Sequence, residues 1–117
     1  MAHNQTIGRW GEQIAAEFLQ KLGDEIVGKN ARTPYGEIDL VTRRSGVTVF
    51  VEVKTRTTRS FGLPEEAVTP RKQAHLLAAA EYYAASHLID SWQVDVIAVE
   101  GRPGSVPAIE HFENILS

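Results

Sequence analysis

The chain has 117 residues, 43% apolar and 23% charged, with a net charge of −3 and no cysteine. That length and composition describe one globular domain, residues 1–117, large enough to bury a single core. Disulfide frameworks, thiolate metal sites and cysteine nucleophiles are excluded, and with no signal-peptide core in Met1 to Trp10 and no apolar run of membrane-spanning length, a soluble, cytoplasmic protein without a membrane partner is expected.

From Thr6 to Leu22 the pattern predicts a helix. Ile7, Gly11, Ile14, Ala15, Phe18, Leu19 and Leu22 recur at helical spacing on one face, and Gly23 stops it. Glu25 to Arg32 reads as a short strand and Thr33-Pro34-Tyr35-Gly36 as a turn. Gly36 to Thr42 and Val47 to Lys54 read as strands joined by the loop Arg43-Arg44-Ser45-Gly46. Thr57 to Pro64 is a polar loop. Thr69-Pro70 opens a second helix, an N-cap followed by proline at the first helical position, running to about His87. Trp92 to Val99 reads as a buried strand and Val106 to Phe112 as a last one. Strands on both sides of a helix predict an α/β fold with a central mixed sheet of about five strands flanked by helices.

The two middle strands carry charge where strands normally exclude it. Asp39 sits in Gly36-Glu37-Ile38-Asp39-Leu40-Val41, and Glu52 and Lys54 sit in Phe50-Val51-Glu52-Val53-Lys54. A four-residue loop pairs Thr42 with Val47, and hence Asp39 with Phe50. Side chains alternate along a strand, so this register gathers Asp39, Glu52 and Lys54 on one face. It leaves Val47, Val49, Val51 and Val53 to join Ile38 and Leu40 in a core on the other. A slip by one residue would separate the acids and break the apolar match.

These residue types suit a divalent cation and phosphodiester cleavage. Mg²⁺ or Mn²⁺ takes oxygen ligands, commonly one or two carboxylates with water and phosphate, which Asp39 and Glu52 can supply. Lys54 can stabilise charge developing on the phosphate. Glu12, at the edge of the first helix's apolar face, is the next candidate ligand. Gly8, Gly11, Ala15 and Ala16 around it let the helix approach the sheet.

Charge is unevenly spread. Residues 29–72 hold nine Lys/Arg against five acids, and the rest of the chain holds three against ten. The basic window surrounds the suspected site and suits a nucleic-acid partner. Within it Arg32, Arg56, Arg59 and Lys72 are candidate nucleic-acid contacts, with Gln73 beside Lys72 at a helix N-terminus. The four histidines lack metal-ligand spacing, and no P-loop, dinucleotide or nucleophile-elbow motif occurs. Asp95, in the Trp92–Val99 strand, is expected to pair with an Arg or Lys as structural support.

Gly8-Arg9-Trp10-Gly11-Glu12, Asn30-Ala31-Arg32, Gly36-Glu37-Ile38-Asp39-Leu40-Val41, Phe50-Val51-Glu52-Val53-Lys54-Thr55-Arg56, Glu66-Ala67-Val68-Thr69-Pro70-Arg71-Lys72 and Val94-Asp95-Val96-Ile97 together resemble the bacterial YraN-type family over nearly the whole chain. That family looks like part of the PD-(D/E)xK nuclease superfamily and is similar to archaeal Holliday-junction resolvases. The resemblance implies a restriction-endonuclease-like core, metal-binding acids at Asp39 and Glu52, the superfamily's lysine at Lys54 and its helix-borne acid at Glu12. The chain departs from the pattern at Gln93, often arginine in the family, and at Gln73-Ala74-His75, often more basic. The expected activity is a Mg²⁺- or Mn²⁺-dependent endonuclease acting on DNA, including branched or flapped DNA. Resolvase-like chemistry would favour a homodimer. The alternative is a non-catalytic nucleic-acid-binding or scaffold protein that retains the fold.

Overall fold

The computed structural model describes residues 3–58, 64 and 69–116, with side chains from Ile7 onward. Helix α1 (His3–Lys21) ends where glycine permits it. Gly23 adopts φ +100°, the Gly23 amide donates to the Gln20 carbonyl and the Asp24 amide to that of Leu19. This satisfies two carbonyls left open at the helix end. Leu22 lies past the last turn and is 55% exposed, so it does not join the apolar face expected of it.

Strands β1 (Glu25–Thr33), β2 (Gly36–Arg44) and β3 (Val47–Arg56) follow, then helix α2 (Pro70–Ser86), β4 (Trp92–Glu100) and β5 (Ala108–Phe112). They form one mixed sheet in the order β1-β2-β3-β4-β5. All pairs are antiparallel except β3 and β4, the pair joined through α2. This is the expected α/β architecture, consistent with a restriction-endonuclease-like core. Among the described residues no helix is long and apolar enough to cross a membrane.

Both sheet faces are covered. Ala15, Ala16 and Leu19 of α1 pack on Leu40, Val49, Val51, Val53, Ile97 and Val99. Ala79, Ala80 and Ala84 of α2 pack on Ile38, Val41, Phe50 and Val94. Small residues on both helices bring their backbones close to the strands. At Gly11 the approach is closest: a Cβ there would collide with the Thr55 hydroxyl.

The β2–β3 register differs from the expected one by two residues. Arg44 pairs with Val47 and Thr42 with Val49, so the turn is only Ser45-Gly46. Both residues take positive φ, 51° and 81°, as in the two-residue turns whose twist matches that of the strands. A shift of two preserves which side chains share a face. Ile38 is a second correction: it packs with the α2 layer while Leu40 packs with α1. Alternation is therefore broken at Asp39. The residue facing it across β1 is Asn30, at φ +49°, and no backbone pair forms between Lys29↔Leu40 and Ala31↔Ile38.

Candidate active site

The break in β2 is what builds the site. The β2–β3 ladder ends at Leu40↔Val51. Beyond it a side chain replaces the backbone: the Val53 amide donates to Asp39 Oδ2 at 2.8 Å. The Asp39 carboxylate is thus held between the two strands. Glu52 emerges from β3 on the α2 side and is only 8% exposed. Lys54 Nζ lies 3.7 Å from Glu52 Oε2.

The electrostatics record how closely these groups are packed. Burial raises the Asp39 pKa, against the opposing influence of the Val53 amide, Lys54 and Lys72. Burial and the neighbouring Asp39 push Glu52 up to about 7, although Lys72 and Lys54 pull it down. Glu12 is raised by burial and by Asp39, and a hydrogen bond with Asn30 opposes the rise. Three carboxylates and two lysines from α1, β2, β3 and α2 therefore act on one another. Lys72 arrives through the first turn of α2, where its amide donates to the Thr69 hydroxyl.

The oxygen donors fit a hard divalent cation. Glu52 is buried and Asp39 half-buried; the Asp39 charge disfavours that of Glu52, and a cation relieves that repulsion. Glu12 does not converge on them to the 4.8 Å within which three ligand atoms would form a tight cluster.

That tighter spacing occurs elsewhere, at Asp95, His111 and Glu113, a grouping that could hold a metal ion. Its donors are already engaged. Arg44 sits 3.4 Å from Asp95, 2.9 Å from Glu113 and 2.8 Å from Asp24. Asp95 also accepts from Gln93 at 2.9 Å and the Asn114 amide at 2.9 Å, and lies 2.7 Å from His111 Nε2. Burial opposes ionisation of Asp95, but the bonds from His111, Asn114 and Gln93 outweigh it and lower its pKa. Asp95 is thus paired with an arginine, the supporting role its strand position suggests.

The other sequence candidates scatter. Arg32 is exposed, 3.6 Å from Glu37. Arg56 is turned inward, 3.1 Å from Glu100 and 3.6 Å from Glu110. Gln73 lines a shallow groove with Pro70, Ala74, Leu77, Ile115 and Leu116, apart from the carboxylates. Arg59 lies outside the described residues. Two contributors were not singled out from sequence. Glu37 shares a cleft with Glu52 and Lys72 and raises the Asp39 pKa. Asn30 bonds Glu12, and an asparagine within a strand pattern is the available signal, since it tolerates a left-handed backbone that β-formers avoid.

Residues 11–99 match the uncharacterised protein family UPF0102. A UPF0102 protein of Syntrophotalea carbinolica is 48% identical over 109 residues, covering 92% of this chain and 88% of that one. Another, from Dehalococcoides mccartyi, is 41% identical over 120 residues, covering 99% and 98%. Among solved structures, Pyrococcus furiosus SfsA in complex with Ca²⁺ aligns with 94% of this chain at 14% identity and a TM-score of 0.41, and this chain spans 63% of its length.

Proposed function

The chain belongs to the uncharacterised protein family UPF0102, and we propose that it is a divalent-metal-dependent endonuclease that hydrolyses phosphodiester bonds in DNA, with branched or flapped DNA as the substrate class. One observation supports the reading above the others: the buried Glu52 stands against the half-buried Asp39, whose charge raises its pKa, with Lys54 beside it. Burying one acid against the charge of another costs stability, and such arrangements concentrate at functional sites. The motif resemblance to PD-(D/E)xK nucleases supports the same assignment.

Asp39 and Glu52 would hold the Mg²⁺ or Mn²⁺, with Glu12 as the assisting carboxylate. A bound cation of this kind polarises the scissile phosphate and lowers the pKa of a water. Lys54 directs its ammonium group at the phosphate oxygens and stabilises their developing charge. Lys72, at the N-terminal turn of α2, adds a second cation where the helix dipole also favours phosphate.

The test is a panel of labelled linear, nicked, flapped and four-way DNAs incubated with Mg²⁺ or Mn²⁺. Cleavage that disappears in Asp39→Asn and Lys54→Ala supports the proposal. Cleavage that survives both removes the site assignment. A non-catalytic nucleic-acid-binding protein is the second reading. It is favoured by Glu12, which forms no tight three-ligand cluster with Asp39 and Glu52. That reading predicts salt-dependent binding without turnover in any metal.

A further inference from the structure

The cleft beside Glu52 continues into an aromatic surface that the hydrolytic chemistry does not use. Tyr35, Glu37, Glu52, Lys72 and His75 line a cleft of about 150 Å³. Tyr35 stands at its rim, 52% exposed, with Tyr82 of α2 edge-to-face against it, ring centroids 6.3 Å apart. Tyr82 is itself 44% exposed. Lys72, His75, Ala79 and Tyr82 recur at spacings of three, four and three, so they form one stripe down α2. The stripe begins beside the carboxylates and ends under Tyr35, about 15 Å along the helix at 1.5 Å per residue.

The turn carrying Tyr35 is fixed. Its amide donates to Thr33 Oγ1 at 3.0 Å, and that hydroxyl donates to the Gly36 carbonyl at 2.7 Å. Gly36 takes φ +125°, a conformation suited to glycine. A half-exposed tyrosine on so constrained a turn is presented outward, with little loss of freedom left to bear on binding a ligand.

We infer that Tyr35 and Tyr82 form a stacking platform for an unpaired nucleobase, so that the cleft from Glu52 to Tyr35 takes a single-stranded segment adjoining the bond to be cut. Rings of this kind accept any base face, and a neighbouring cation tracks the backbone. Lys72 and His75 supply that lining, and Arg32, 88% exposed at the same hairpin end, extends it. A base pair presents only its edges along a duplex, so the platform selects flapped, branched or frayed ends. This inference deepens the nuclease proposal and rests on it for the position of the cut.

The experiment measures binding in EDTA, separately from catalysis. DNA carrying 2-aminopurine in a single-stranded flap, and a fully paired duplex, are titrated with the full chain and with Tyr35→Ala, Tyr82→Ala and Tyr35→Phe, each checked for folding by circular dichroism. The expected result is quenched fluorescence and roughly tenfold weaker flap binding for Tyr35→Ala, with duplex binding unchanged and Tyr35→Phe unaffected. Matched RNA identifies which polymer supplies the base, and loss on Tyr35→Ala with either one supports the platform. Equal flap binding by the wild type and both alanine variants overturns it, as does no binding to any nucleic acid. Tyr35-dependent binding without metal-dependent cleavage leaves the platform standing and removes the nuclease reading instead.

Discussion

Asp39 completes the sheet for Val53: its carboxylate, not a β2 carbonyl, accepts the Val53 amide at 2.8 Å. One side chain therefore has a structural bond and the proposed metal charge. The two can be separated. Asp39→Asn keeps an acceptor oxygen and loses the charge, so folding should be near wild type while Mn²⁺ binding is lost. Asp39→Ala leaves the Val53 amide unsatisfied, at a cost of about 1–3 kcal/mol. Urea denaturation and Mn²⁺ calorimetry on both variants check this; equal destabilisation by the two would mean the amide finds another partner.

The acid pair makes stability depend on pH with an uncommon sign. Burial and Asp39 raise Glu52 from the ordinary value of 4.5 to about 7. Between those values the folded chain retains a proton that the unfolded chain has released. Metal-free stability should therefore fall as pH rises through that window, by on the order of 1–3 kcal/mol. Glu52→Gln should flatten the loss and raise the Tm at pH 8. Mn²⁺ should stabilise the wild type at pH 8, hardly at pH 5, and not the variant. Thermal scans at the two pH values, with and without metal, read all three effects.

Much of this site was legible because a strand fixes faces more firmly than registers. The valines of β3 set the core side, so Glu52 and Lys54 had to share the opposite one whichever even register formed. The loop length was not legible, since Ser45-Gly46 lacks the asparagine or aspartate that usually marks a two-residue hairpin turn. Nor was the side change of Ile38. It arises from an interruption involving Asn30 in another strand, and a local hydrophobic pattern does not carry that information. Arg56 shows the same limit: it follows Lys54 as a phosphate contact would, but its partners Glu100 and Glu110 are distant in sequence.

Arg44 ties both ends of the fold together, reaching Asp24 after α1, Asp95 in β4 and Glu113 after β5. Asp24 and Asp95 are buried. Removing the guanidinium strands these carboxylates, so Arg44→Met should destabilise by about 3–5 kcal/mol. Arg44→Lys should rescue little, because one ammonium cannot reproduce the fork that meets Asp24 through Nε and Nη2. Denaturant midpoints test the ranking. Lys54 belongs to a different cluster, so cleavage per folded molecule should be unchanged.

Gly11 sets how near Glu12 comes to the carboxylates. A side chain there meets Thr55 Oγ1, with the Thr55 Cβ and Cγ2 close behind. Gly11→Ala must displace α1 from β3 or rotate Thr55, an overpacking cost of about 1–3 kcal/mol. Displacement carries Glu12 away from Asp39, and the expected signature is weaker Mn²⁺ affinity beyond what partial unfolding explains. Thr55→Gly in the same chain removes all three obstructing atoms. It should restore metal affinity even though a glycine in β3 lowers stability. Calorimetry on the single and double variants distinguishes the cases: if Thr55→Gly recovers neither affinity nor packing, α1 is positioned by contacts other than this one.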